Sequence, residues 1–124
     1  MIVTIDLPFP PSQNSIWKVG KSRSGKRIVY RSKPYMRWLR EADAQWLVQK
    51  PRGRFKTIDG PFTIRIMLSR PDKRSRDCDN MAKAPIDFLQ RVGIIKNDSL
   101  SEETRVGWVE DSEAPMGMRV VVNY

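Results

Sequence analysis

Two aspartates one residue apart, Asp77 and Asp79, open the segment Asp77-Cys78-Asp79-Asn80-Met81-Ala82-Lys83, and a third, Asp98, follows. Carboxylates at i and i+2 converge on one cation where the backbone between them is extended. Hard oxygen ligands of this kind select Mg²⁺, or Mn²⁺ as a substitute, rather than zinc. Lys83, four residues beyond Asp79, can share its helix face. Asp79 itself suits the N-cap of the helix expected to follow. A plainer reading stands beside the metal site. Asp-x-Asp pairs are common, an acid before a helix is ordinarily a cap, and Asp98 could be a turn residue after Lys96-Asn97. Lys83 and Asp87 could be solvated helix-face charges, although Asp87 lies one turn on and could orient Lys83. Cys78, between two acids, is a poor nucleophile and reads as a small buried residue.

The absence of histidine excludes histidine-based zinc sites, Ser-His-Asp triads and Cys-His dyads. An enzyme built from this chain works with carboxylates, lysine, hydroxyls or an oxygen-bound metal. A single cysteine excludes an intramolecular disulfide. The net charge is +9, from 23 basic and 14 acidic residues, and it is unevenly spread. Residues 1–56 carry 13 Lys/Arg against 3 acids, whereas residues 77–124 carry 5 against 9. A basic surface of this strength suits a polyanion, ordinarily nucleic acid. Clustering acids against one another is electrostatically costly, and a divalent ion would relieve the repulsion.

The elements that must position these residues follow from periodicity. Residues 1–7 alternate as a strand, ended by Pro8, Pro10 and Pro11. Residues 18–33 hold seven Lys/Arg and no acid, with Ser-Gly at the centre, which predicts a basic hairpin. Lys18, Lys21, Arg23, Lys26, Arg27 and Arg31 are its candidate DNA contacts, with Arg74 from the loop before the acids, because uncompensated like charges favour phosphates. Residues 35–49 predict a helix with Pro34 in its first turn and Tyr35, Trp38, Leu39, Ala42, Trp46 and Leu47 near one face. Trp38 and Trp46 fit core packing, and Trp17, beside the basic run, is open to either role. Residues 50–56 form a basic loop, and residues 61–69 a second strand. A short helix ends near Val92 with Gly93 as its stop. Residues 104–110 and 118–123 predict a hairpin. The order of elements gives a single mixed α+β domain over residues 1–124. No apolar run approaches the ~20 residues of a membrane span, and the N-terminus lacks signal-peptide features, so a cytoplasmic protein is expected.

The segment Arg76–Lys83, then Asp87-Phe88-Leu89, then Asp98, resembles the core motif of the RusA-type Holliday-junction resolvases. Leu7-Pro8-Phe9-Pro10-Pro11-Ser12-Gln13-Asn14 resembles that family's N-terminal Pro-Pro-x-x-Asn element. The landmarks span residues 7–98 in the family's order, which is more specific than any piece alone. The resemblance implies a RusA-like fold, with a small mixed sheet and two main helices, assembled as a homodimer. It implies a Mg²⁺-dependent enzyme, often phage- or prophage-borne, that cuts four-way junction DNA by paired nicks in recombination and repair. Asp77, Asp79 and Asp98 would be the essential metal-binding carboxylates, Lys83 a catalytic residue, and Arg76, Asn80 and Asn14 supporting residues. Two departures are visible: Asn97-Asp98 replaces the tandem acids the family often has, and Pro85 lies early in the helix after the motif. Alternatives from the residues alone are a Mg²⁺ nuclease for flaps or RNA, a non-catalytic nucleic-acid-binding domain, and a protein-interaction adaptor.

Overall fold

The computed structural model describes residues 1–124. In chain order it contains β1 (Ile2–Pro8), a 3₁₀ turn at Gln13–Ser15, β2 (Trp17–Lys21), β3 (Arg27–Arg31) and α1 (Lys33–Gln49). Then come β4 (Phe62–Leu68), a 3₁₀ turn at Cys78–Met81, α2 (Lys83–Arg91), a 3₁₀ turn at Asp98–Leu100, β5 (Ser101–Trp108) and β6 (Gly117–Asn123). The α+β class holds. One mixed sheet has the order β1-β6-β4-β5, and β2-β3 stands apart as a two-stranded hairpin.

Strand β4 explains the sheet order. Phe62, Ile64, Ile66 and Leu68 are buried in strict alternation with Thr63, Arg65 and Met67, so β4 takes a central place. It pairs antiparallel with β6 and parallel with β5. The expected hairpin between residues 104–110 and 118–123 is therefore corrected: β4 lies between the two strands. The first half of β5 is polar and exposed, which suits a sheet edge. Its connection to β6 is fastened across the end of β4 by buried Ser69. The Ser69 Oγ donates to the Ala114 carbonyl at 2.7 Å and its amide to the Gly117 carbonyl at 3.0 Å.

Helix α1 begins where Ser32 caps it, the hydroxyl accepting from the Tyr35 amide at 3.2 Å. Pro34 sits in the first turn, where its missing N–H costs nothing. Tyr35, Trp38, Leu39 and Ala42 are buried as the spacing predicts, and Trp46 is half-buried. Leu47 is not on this face: it is 66% exposed. It follows Trp46 by roughly 100° around the helix, which takes it off the stripe. The face is completed by Gln49, whose amide accepts from the Asp6 N–H at 2.8 Å and donates to the Asp6 carbonyl at 2.7 Å, tying α1 to β1.

Trp38 meets Phe88 of α2 edge to face at 5.8 Å, joining the helices within the core. Pro85 falls in the first turn of α2, where no intrahelical bond needs its nitrogen, and the helix continues through it. Gly93, at φ 82°, is the expected stop. No helix is long and apolar enough to cross a membrane.

Candidate active site

The chain enters the site through the loop between β4 and the Cys78–Met81 turn, held by stacking and by one carboxylate. The Arg70 guanidinium lies 4.2 Å from the Trp108 ring centroid, Trp108 stacks on Phe9 at 6.0 Å, and Arg76 lies 5.5 Å from Phe9. Gly117 permits Phe9 to sit there: its φ is 114°, and a Cβ would come within 2.7 Å of the Phe9 nitrogen. Asp72 accepts two bonds from Arg76, at 2.5 and 2.9 Å, one from Arg74 Nε at 3.2 Å and one from the Arg74 amide at 2.9 Å. The Arg76 bonds, then the Arg74 amide, hold the Asp72 carboxyl well below the usual carboxylate range, and Asp72 in turn raises Arg76. Arg74 and Arg76 are thus partly neutralised before any ligand arrives.

Asp77 leaves this loop with extended backbone, and the Cys78–Met81 turn follows. Residues three apart eclipse in a 3₁₀ turn, so Cys78 and Met81 face inward together. Met81 is buried, and half-buried Cys78 donates its thiol to the Val106 carbonyl at 3.7 Å. Asp77 and Asp79 stay exposed, and Asn80 is half-buried. Asp79 is not the cap of α2. It lies inside the turn, and Ala82 occupies the cap position without a side-chain bond. The turn inserts between the acids and the helix, which a sequence pattern tuned to α-helical starts does not register.

Lys83 opens α2, and its ammonium donates to Asp87 Oδ1 at 3.0 Å. That bond, then the charges of Asp87 and Asp98, raises its pKa. Asp98 therefore lies within electrostatic reach of Lys83. Asp98 opens its own exposed turn, where its amide donates to Gln90 Oε1 at 3.0 Å and Asn97 caps the Ser99 amide at 2.9 Å. Asn14 is exposed on the Gln13–Ser15 turn, which packs beside Cys78–Met81. Buried Ser32 fixes that turn by donating to the Ser15 carbonyl. The structure thus gathers the segments bearing Asn14, Asp77, Asp79 and Asn80 at one place, and those bearing Lys83 and Asp98 at the start and flank of α2. It does not draw three carboxylates of this chain into one metal-ligand group.

The basic hairpin forms as the sequence predicts. Lys18 and Lys21 lie on β2, Arg27 and Arg31 on β3, and Arg23 and Lys26 in the connecting turn, where Gly25 adopts φ 82°. All six cations are exposed, and none takes part in an ion pair. Lys21 stands directly opposite Arg27, a like-charge pairing that weakens a hairpin. An anion would remove that penalty.

Two contributors, Asp72 and Gln90, escaped the sequence reading, and a third, Asp87, was weighed there without being assigned to the site. Asp72 and Arg76 stand at i and i+4, a spacing visible in the sequence but outside any helix. Asp87 carried the signal of its i,i+4 relation to Lys83, with solvation as the rival reading. Gln90 reaches Asp98 across a loop, and nothing local announces it.

The sequence profile described as "Endodeoxyribonuclease RusA" matches residues 8–122. The chain is 36% identical over 96 residues to the crossover junction endodeoxyribonuclease RusA of Aquifex aeolicus (strain VF5), covering 76% of this chain and 68% of that one. The enterobacteria phage HK97 protein of that name is 29% identical over 103 residues, covering 81% and 77%. The Escherichia coli (strain K12) protein is 30% identical over 106 residues, covering 83% and 79%. A profile match over nearly the whole chain, with the motif turn, α2 and the Asp98 turn all inside it, settles the kinship: the chain belongs to the RusA endodeoxyribonuclease family.

Proposed function

We propose that this chain is a crossover junction endodeoxyribonuclease, one RusA-like domain over residues 1–124, that resolves Holliday junctions by paired symmetric nicks in recombination and repair. The observation that carries the reading is the meeting of two opposite electrostatic surfaces in a chain of this family. Exposed Asp77 and Asp79 lie at the turn that precedes α2, exposed Asp98 opens a second turn packed against α2, and the hairpin carries six cations without an ion-pair partner.

The donor set fits a hard divalent ion: exposed carboxylate oxygens, with no histidine to compete. Mg²⁺ is commonly held by one or two carboxylates and completed by substrate phosphates, so a closed protein cage is not required. Asp77, Asp79 and Asp98 would hold Mg²⁺, or Mn²⁺ in its place. When bound, the ion supplies Lewis-acid chemistry for phosphodiester hydrolysis.

Lys83 contributes a fixed cation. Lysine is protonated at neutral pH and the bond to Asp87 favours that form further, so Lys83 stabilises negative charge on the phosphorane or leaving oxygen rather than accepting a proton. Asp87 orients the ammonium. Arg76 and Asn80 support the motif turn, and Asn14 supports it from the neighbouring one. Lys18, Lys21, Arg23, Lys26, Arg27, Arg31, Arg74 and the basic 50–56 loop grip phosphates, which positions the DNA without reading its sequence.

A four-way junction has approximate two-fold symmetry, so a homodimer can present two sites to opposed strands. Ile28 and Tyr30 are exposed on the hairpin face opposite to the one that carries Trp17, Lys21, Arg27 and Arg31. A two-stranded hairpin gains stability when such side chains are covered, and a second subunit would cover them. A cytoplasmic bacterial or phage setting accords with junction resolution and with the bacterial and phage relatives. The test is side-by-side digestion of four-way junction, flap, duplex and RNA substrates. The junction should be cut preferentially, at paired opposed positions, by a protein sedimenting as a dimer. Equal cutting of flap or RNA would reassign the substrate.

A further inference from the structure

A cleft of about 280 Å³ opens between the hairpin and α2, floored by buried Ile16 and Tyr35. Trp17 and Arg31 form its hairpin wall, and Asp87, Gln90 and Arg91 its helix wall. Two hydrogen bonds join that helix wall to the residues proposed for catalysis. Asp87 holds the Lys83 ammonium, and Gln90 holds the Asp98 amide. We infer that this cleft is a nucleotide subsite, taking one unstacked base of the bound DNA against Trp17 and its phosphate on Arg31. The inference rests on the reading of the chain as a junction nuclease and adds where the strand sits beside the site.

Four observations point to a base. Trp17 is 53% exposed, an unusual state for an indole, and a flat π-face at a strand-binding surface stacks bases irrespective of their identity. Trp17 stands opposite Arg31 in the hairpin register, so both side chains share a face, and alternation puts Lys21 and Arg27 on that face too. A strand held by those cations is led toward the cleft. The helix wall offers both an acceptor and a donor: Asp87 Oδ2 and Gln90 Nε2 have no protein partner, since the observed bonds use Asp87 Oδ1 and Gln90 Oε1. Base edges carry both kinds of group, whereas a phosphate alone would be repelled by Asp87. The volume lies just under the ~300 Å³ at which pockets for larger ligands begin, which favours a single base over a stacked pair.

The test places 2-aminopurine singly at each nucleotide around the crossover of a synthetic junction. Fluorescence is read without divalent ion at protein concentrations that saturate binding by anisotropy. Wild-type protein should change the signal at least threefold at one position. Trp17→Ala should abolish the change while still saturating the junction, and Trp17→Phe should restore at least half of it. An equal change with Trp17→Ala, or no responsive position in the wild type, overturns the subsite. The readout needs no catalysis. A wild type that shows the signal but never nicks with Mg²⁺ would sink the nuclease reading and leave base capture standing.

Discussion

The hairpin and the motif cluster are both densely charged, and they manage charge in opposite ways. On the hairpin, six exposed cations have no ion-pair partner, and two face each other across the strands. Around the motif, three cations are paired: Arg76 and Arg74 with Asp72, and Lys83 with Asp87. Exposed ion pairs contribute little stability, so the pairing matters for orientation. The motif fixes the direction of its charges before substrate arrives, which a reacting centre requires. The hairpin leaves its charges free to exchange counterions for phosphates, which suits a grip. One region would therefore govern rate and the other affinity.

The largest effect should come from the carboxylates. Asp77→Asn or Asp79→Asn should abolish nicking while junction binding is kept, measured on one preparation by gel-resolved nicking and by anisotropy. Full activity in either variant would remove that residue from the site. Next, Lys83→Met should slow nicking by about 10²-fold at saturating DNA, the usual cost of losing one charge-stabilising donor. A loss confined to affinity would move Lys83 to the grip. The double substitution Lys21→Ala with Arg27→Ala should act the other way. Binding should weaken for every DNA sequence, and the slope of log affinity against log salt should fall by about 2. An unchanged slope would separate the hairpin from the phosphates.

The smallest effect concerns Asp87. Because Asp87 raises the Lys83 pKa above its ordinary 10.5, the ammonium is fully charged below that value and is lost only as pH rises through the raised one. Wild-type nicking should show no alkaline decline from Lys83 up to about pH 10. Asp87→Asn should cost several-fold in rate and move the alkaline limb downward, read from a pH–rate profile on pre-bound junction. An unmoved limb would show that Lys83 is not the group being titrated.

Legibility from sequence divided along the same physical line. The elements that carry the grip are local. β1, the hairpin, α1 and β4 follow from period-2 or period-3.6 patterning and from turn residues such as Gly25. The family motif was legible too, because Asp77, Asp79, Lys83 and Asp98 keep a recognisable order. What was not legible is non-local or finer than a helix turn. The β5–β6 pairing failed because β4, far away in sequence, is more apolar and takes the centre. Asp79 was misplaced as a cap because an eclipsed 3₁₀ turn, anchored by Cys78 and Met81, comes before α2. Leu47 was misplaced because one apolar residue next to a stripe reads like part of it. Gln90 supports Asp98 through a contact that no periodicity encodes.

The most direct measurement is incubation of the wild-type protein with a synthetic four-way junction, with and without Mg²⁺, mapping nicks on all four strands while binding is followed in parallel. The account predicts binding in both conditions and nicks only with Mg²⁺, paired on opposed strands. A junction that stays bound and intact in Mg²⁺ would contradict it, leaving a basic DNA-binding protein whose aspartates have no catalytic part.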